Sequence, residues 1–286
     1  MEIRLCAFAD EAGKLLSEQI SALKRNKIYL IEIRSVDGIN IKDIKLGRAA
    51  QIADKLKEEG LEVWSIGSPL GKVKITDDFN EEKERLRHIL ELCKIFHCNK
   101  IRVFSFFTKD YDKYRNEVFA RLQEMVDISG QDNVLLYHEN EKEIYGDNAK
   151  RVKDLLENVK GLQSIYDPAN YIQIGEDTDT AIKEVLPYAG YLHIKDALYR
   201  TGIVVLPGAG DGKIQELLSR IEQDTVLSIE PHLKVFVGYN AIDNHELKGN
   251  FIYKSNGEAF DAAVISLKNI LIKLGFMEIG GGIWKK

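Results

Sequence analysis

Three cysteines in 286 residues, Cys6, Cys93 and Cys98, form no CxxC pair, and three thiols cannot all be paired within one chain. A disulfide scaffold is excluded, and a reducing, cytoplasmic setting is the simpler expectation. Proline is scarce, and no stretch rich in proline, glycine or serine divides the chain. Sustained low-complexity runs are missing too, so disorder is a poor reading of a composition with 44% hydrophobic and 30% charged residues. No apolar run is long enough to span a bilayer, and MEIRLCAF enters an alternating strand pattern at once, without a signal-like apolar core. An excess of positive charge is likewise absent. A formal charge of -5 gives no general attraction for nucleic acid or an anionic membrane, so neither is an expected partner.

What is present is an alternation. Segments of strand character run at Ile3 to Phe8, Ile28 to Ile33, Glu62 to Ile66, Ile101 to Phe104, Val134 to Tyr137, Gln163 to Tyr166, Tyr191 to Ile194 and Val226 to Ile229. Helical patterns lie between them, clearest at Leu46 to Lys57, Glu81 to Phe96, Tyr114 to Asp127, Lys150 to Val159 and Ile214 to Ile221, with a last one from about Ala259 to Leu274. Such alternation forces parallel strands with helical crossovers, because a short turn cannot return the chain to the same end of a sheet. The length suits one α/β domain spanning residues 1–286, a TIM (β/α)8 barrel. An open doubly wound sheet usually carries a glycine-rich loop after its first strand, whereas FADEAGKLLSEQ holds one glycine and no phosphate-loop spacing. Gly280 to Gly282 read as a flexible segment of a short tail starting at about residue 276.

In a barrel all strand ends meet at one face, so distant residues become neighbours there. The fifth strand runs into Glu139, the sixth ends at Asp167, the seventh contains His193 and the eighth ends at Glu230. Each alone has an ordinary structural account: a satisfied core histidine, a turn aspartate before Pro168, a salt-bridged glutamate before Pro231. Together, at four consecutive strand ends, they gather like charges that repel unless a cation or a hydrogen-bond network offsets them. Three anionic oxygens and one imidazole suit a divalent ion such as manganese, cobalt, zinc or magnesium.

The segments FADE, IEIRSVDGINI, SIGSPLGK, RVFSFF, HENEKEIYGD, YDPANY, HIKDA, LPGAGDG and LSIEPH occur in an order that resembles the sugar phosphate isomerase/epimerase family. These are the xylose isomerase-like TIM barrels, which include ketose 3-epimerases and inosose dehydratases and are related to endonuclease IV. The resemblance spans nearly the whole chain and implies one catalytic divalent metal, manganese first, on Glu139, Asp167, His193 and Glu230. It also implies that Glu139 and Glu230 act as proton donor and acceptor on opposite faces of a sugar carbon. The chemistry is coherent: a divalent ion on a ketone and its neighbouring hydroxyl stabilises the enediolate left by proton loss, and two carboxylates can remove and return that proton. The expected partner is a ketose or related polyhydroxy ketone, in a chain that could form a homo-oligomer. A dehydratase is the chemical alternative, and a noncatalytic sugar-binding barrel a further one. The six histidines and the Asp167/Asn170 pair depart from the histidine-rich cluster of endonuclease IV, and Asn170 also departs from many ketose 3-epimerases.

Further residues are candidates for the substrate site. Lys195 and Asp196 follow His193 and could touch substrate oxygens or support the ligands; for Lys195, simple charge balance is an equal alternative. Glu32 and Arg34 point to the same side of the second strand, towards either a salt bridge or a sugar. Lys72, in a turn with Ser68 and Gly71, could meet an anionic group, as could the glycine-rich LPGAGDG. His138 could bind substrate or orient Glu139, or equally be a strand-edge residue with an exposed ring, and Tyr145 and Asn170 could line the entrance. Trp64 reads as a core residue more readily than as a sugar platform.

Overall fold

The computed structural model describes residues 1–237 and 252–286. The branched and aromatic runs form eight parallel strands: β1 (Glu2–Ala7), β2 (Leu30–Ile33), β3 (Glu62–Ile66), β4 (Lys100–Val103), β5 (Leu135–Glu139), β6 (Gln163–Tyr166), β7 (Ala189–Ile194) and β8 (Thr225–Ile229). Each pairs with the next, and β8 returns to β1 in parallel register, Ile3 opposite Thr225 and Ala7 opposite Ile229. The barrel is therefore closed and its strands have no free edge. Near-continuous apolar strand sequences such as LIEI follow from this, because both faces are covered.

Around the barrel run α1 (Leu16–Arg25), α2 (Leu46–Glu58), α3 (Phe79–Phe96), α4 (Tyr111–Gly130), α5 (Ala149–Asn158), α6 (Pro168–Gln173), α7 (Thr178–Val185), α8 (Ile214–Ser219) and α9 (Asn256–Lys273). Several starts are written in the sequence: the side chains of Asp78, Asp110, Asn148, Asp177 and Ser255 each accept a backbone N–H from the first turn of the helix they precede. Among the described residues no helix is long and apolar enough to cross a membrane.

Side chains fill the pore in layers. Cys6, Leu30, Tyr137, Ile165, Tyr191 and Val226 form an apolar floor, with Trp64 packed against it. Trp64 meets Tyr191 edge to face at 6.0 Å and carries the Lys100 ammonium over its ring at 3.9 Å, so it belongs to the floor and not to the mouth. Charged side chains lie on both sides of this layer: Arg4, Glu62 and Lys100 at the strand starts, and the buried carboxylates with their cations towards the strand ends.

The C-terminal residues correct one expectation. The segment expected as a flexible tail folds into a hairpin, β9 (Met277–Gly280) and β10 (Ile283–Lys285), and β10 pairs antiparallel with the start of β1. Trp284 opposes Ile3 and is buried, and Leu5 donates its N–H to Gly282 O. The three glycines are the turn itself: all have positive φ, and a Cβ on Gly282 would sit 2.9 Å from Lys27 O. A glycine run is legible, but its pairing partner lies at the other end of the sequence, with Lys285 opposite Glu2 and Gly282 bonded to Leu5.

Candidate metal centre and active site

The four strand-end residues converge. One ligand atom from each of Glu139, Asp167, His193 and Glu230 lies within 4.8 Å of the other three, and all four side chains are buried. Local sequence explains how each is aimed. Asp167 directly follows β6 and caps α6: its Oδ1 accepts the Asn170 N–H at 3.1 Å, Pro168 begins the helix, and Oδ2 faces Lys195. Asn140 ties the ends of β5 and β6 together, donating to Asp167 O at 3.0 Å and accepting the Asp167 N–H at 3.1 Å. Asn170 donates to Asn140 O at 2.7 Å and to Glu139 Oε1 at 3.4 Å. His193 turns Nδ1 towards Glu139 Oε1, at 3.0 Å, and Glu230 Oε2, at 3.7 Å.

These spacings fit a divalent ion. Donors bound at about 2.0–2.2 Å to one ion stand roughly 3.0–3.5 Å from one another. His193 Nδ1 already stands 3.0 Å from Glu139 Oε1 and 3.7 Å from Glu230 Oε2, and all four donors lie within 4.8 Å of one another, so small side-chain movements would close them on an ion. Cations of the chain meanwhile balance the carboxylates. Lys195 Nζ lies 2.8 Å from Asp167 Oδ2 and 3.1 Å from Glu230 Oε2. Arg34 Nη1 reaches Glu230 Oε1 at 2.6 Å, and Arg102 Nη1 reaches Glu139 Oε2 at 3.1 Å. Glu11, Glu230 and His232 also cluster, but the Arg34 guanidinium already stands 3.1 Å from Glu11 and 2.6 Å from Glu230 and neutralises that corner.

Electrostatics divide the acids. Burial pushes the Glu139 carboxyl up, but the charges of His193 and Arg102 outweigh it and bring it down to about 2. For Glu230 burial is again opposed, by Lys195, His232, Arg34 and His193, and the group sits well below its ordinary range. Asp167 goes the other way, up to about 7, because burial and the neighbouring Glu139 and Glu230 outweigh Lys195. Burial would lower His193, yet Glu139 and Glu32 raise it to about 10. Without an ion, His193 thus carries the positive charge that the carboxylates demand.

Several expected substrate contacts are placed elsewhere. Glu32 lies beneath His193, where Tyr191, Ser228 and His193 surround it, and it does not reach the mouth. Arg34 takes the salt-bridge alternative: Nε and Nη2 both meet Asp10 at 2.9 Å, leaving no free edge for a sugar. Asp196 accepts backbone N–H groups from Ala197, Gly208, Gly210 and Gly212, so it organises the LPGAGDG loop; a Cβ on Gly210 would lie 2.4 Å from its Oδ1. Tyr145 binds Asp154 in the outer layer. His138, on the opposite face of β5 from Glu139, contacts Ser105 at 2.9 Å behind the strand and packs against Gly146. Lys72 does lie beside the mouth, 3.0 Å from Glu141 and over the Phe104 ring. Arg102, Asp10 and Glu11 also belong to the site, Arg102 on Glu139 and the two acids on Arg34, although no motif marks them. An arginine between Ile101 and Val103 in a strand coated by apolar helices must face the pore, and that alternation was the available signal for Arg102.

His138 makes a pH prediction. Burial lowers it to about 3 from 6.5, so the unfolded chain binds the proton more readily between those values. The stability contributed by its neutral ring is complete above pH 6.5 and is lost as pH falls towards 3, roughly 3–5 kcal/mol in all. Urea unfolding across this window should show the unmodified chain losing more stability than His138→Asn; parallel curves would sink the assignment.

Residues 21–246 match the family described as xylose isomerase-like TIM barrel. No curated protein matches the chain. Among solved structures, a 1.8 Å structure of IOLI protein with a binding zinc atom superposes with a TM-score of 0.73 at 15% identity, covering 95% of this chain and 99% of that one. The probable 3-DHS dehydratase AsbF from Bacillus anthracis gives 0.69 at 19% identity, over 94% and 99%. An L-ribulose 3-epimerase gives 0.70 at 18% identity, over 96% of each chain. Identities this low speak to the fold alone, whereas the sequence match covers most of the barrel, and the chain belongs to the xylose isomerase-like TIM barrel family.

Proposed function

We propose that the protein is a divalent-metal-dependent isomerase or epimerase acting on a ketose or a related polyhydroxy ketone, with Glu139 and Glu230 as the proton-transfer pair. The observation that carries this reading is the buried convergence of Glu139, Asp167, His193 and Glu230 at the ends of four neighbouring strands. These four would hold the ion, manganese first and zinc, cobalt or magnesium next, since all accept carboxylate oxygens with an imidazole. Bound there, the ion supplies Lewis-acid polarisation of a ketone and its neighbouring hydroxyl. The chain's own residues do the rest. Glu139 and Glu230 are the outer members of the set; both are ionised in the metal-free chain, so either can serve as base, and the one that returns the proton on the opposite face must first have taken one up. Lys195 and Arg102 bring fixed positive charge to the site where negative charge develops on substrate oxygens. Lys72 is the nearest candidate at the entrance for a further substrate contact. The three unbridged thiols accord with a reducing, cytoplasmic location.

A dehydratase reading has one specific support: the Lys195 ammonium, between Asp167 and Glu230, is placed to give a proton to a departing hydroxyl. Incubating a panel of ketoses and inososes in deuterated water with each metal separates the two. Metal-dependent deuterium gain at a sugar carbon without loss of water is the expected result. Appearance of an unsaturated ketone would favour the dehydratase, and no exchange with any compatible sugar would overturn both.

A further inference from the structure

Glu32 was a candidate sugar ligand, and its actual surroundings point to a different task. It stands on β2 and His193 on β7, on well-separated parts of the barrel wall, so their contact crosses the pore. Glu32 Oε2 lies 3.1 Å from His193 Nε2 and accepts from Ser228 Oγ at 2.7 Å, while Oε1 accepts from Tyr191 OH at 2.8 Å. Glu32 is 1% exposed and His193 is completely buried. A carboxylate taken so far from water is costly unless donors surround it, and a glutamine or leucine would fill the space with less penalty. Three donors are supplied, and one of them is the imidazole of the metal-site histidine.

The consequence concerns the other ring nitrogen. A carboxylate facing Nε2 requires that nitrogen to carry hydrogen, which leaves the Nδ1 lone pair for an ion once the Nδ1 proton has gone. Nδ1 is the nitrogen directed at Glu139 and Glu230. The ring has little freedom to turn: Phe8 meets it edge-on at 5.2 Å and 81°, and Tyr191 at 5.7 Å and 62°. Tyr191 therefore acts twice, as a wall of the imidazole and as a donor that fixes Glu32.

We propose that Glu32 is a positioning residue for the metal centre, holding His193 from below so that Nδ1 faces the ion; the proposal rests on the metal reading above. It is tested by titrating Zn2+ into the metal-free protein by calorimetry, with the histidine ring nitrogens followed by 15N NMR and the His193 signals assigned from His193→Ala. The unmodified chain should bind Zn2+ with Nε2 protonated and Nδ1 metallated. Glu32→Ala should bind about 10- to 100-fold more weakly and lose the fixed ring form. Glu32→Gln, which keeps an acceptor oxygen but not the charge, should retain the ring form and bind about 3- to 10-fold more weakly. If the alanine variant does not fold, the glutamine variant decides. Affinity equal to that of the unmodified chain in each variant that folds would overturn the positioning role while leaving the ion site intact. Failure of the unmodified chain to bind Zn2+, Mn2+ or Co2+ would overturn the metal reading itself.

Discussion

Glu139→Gln and Glu230→Gln, compared with the unmodified chain at equal and independently measured metal occupancy, should each lose about 10²- to 10⁴-fold in exchange of a substrate carbon-bound proton with solvent. An amide keeps nearly the same shape and an oxygen for the ion but cannot serve as base or acid, which is why matched occupancy isolates the chemistry. The neighbours of each residue sharpen the comparison. Glu139 faces Arg102 at 3.1 Å and His193 at 3.0 Å, whereas Glu230 is gripped by Arg34 at 2.6 Å and Lys195 at 3.1 Å. With a substrate approached from either epimer, one variant should lose exchange mainly from one face and the other variant from the opposite face. Near-normal exchange from both faces in both metallated variants would sink the two-glutamate mechanism. A defect confined to one variant would assign a single carboxylate working with another proton carrier, for which Lys195 is the nearest candidate.

The strands were legible because hydrophobic runs bounded by helical patterns leave few alternatives, and the closure of eight of them brings their C-terminal ends to one face. That is also why the four ligand candidates could be named without any local motif. Side-chain direction was harder. Glu139 and His138 are adjacent on β5, and period-two geometry sends them to opposite sides; knowing that Glu139 faces inward already moves His138 into the helix layer. Depth was harder still. Glu32 and Arg34 share a face of the second strand but differ by one pore layer, so one supports His193 from beneath and the other braces Glu230 at the rim. Asp196 looked like a ligand neighbour because its true partners, the N–H groups of Gly208, Gly210 and Gly212, lie in a loop whose return path no periodicity encodes. The short helix α6 is hidden in the sequence because it starts directly at the strand end, with Pro168 as its first residue, and no polar loop separates it from YDP, whereas the equally short α8 stands apart after the LPGAGDG loop.

Arg34→Met should be the most destabilising of the substitutions considered, by about 3–5 kcal/mol, because it leaves buried carboxylates without their cation. Arg34 is 1% exposed and pairs with Asp10, Glu11 and Glu230, and its guanidinium is held still more firmly in the charged form by these acids although burial alone would oppose it. Its own packing is aromatic, over Phe8 at 4.3 Å and Phe236 at 4.9 Å. On the other side of this wall Arg102 lies 5.0 Å from the same Phe8 ring and 5.0 Å from Phe104, and Lys72 stands 4.4 Å from Phe104. Cations and rings thus alternate along the side of the mouth facing the carboxylates, an arrangement that keeps long basic side chains in place with a gain of about 0.5–2 kcal/mol per contact. Methionine can occupy the slot between Phe8 and Phe236, so the loss in Arg34→Met should come from charge and hydrogen bonds more than from volume. Arg34→Lys should fall between, since an ammonium keeps the charge but cannot fork onto Asp10. Adding Asp10→Asn to Arg34→Met should recover part of the loss, because the acid that binds the Nε/Nη2 edge of the guanidinium through both its oxygens is then neutral. Urea unfolding of the metal-free chains measures these differences, and a melting temperature lower by roughly 10 °C is expected for the single methionine variant. A loss below about 1 kcal/mol for Arg34→Met, or no recovery in the double variant, would mean that solvent or protonation of Glu11, already raised to about 8 by burial against the pull of Arg34, takes over the compensation.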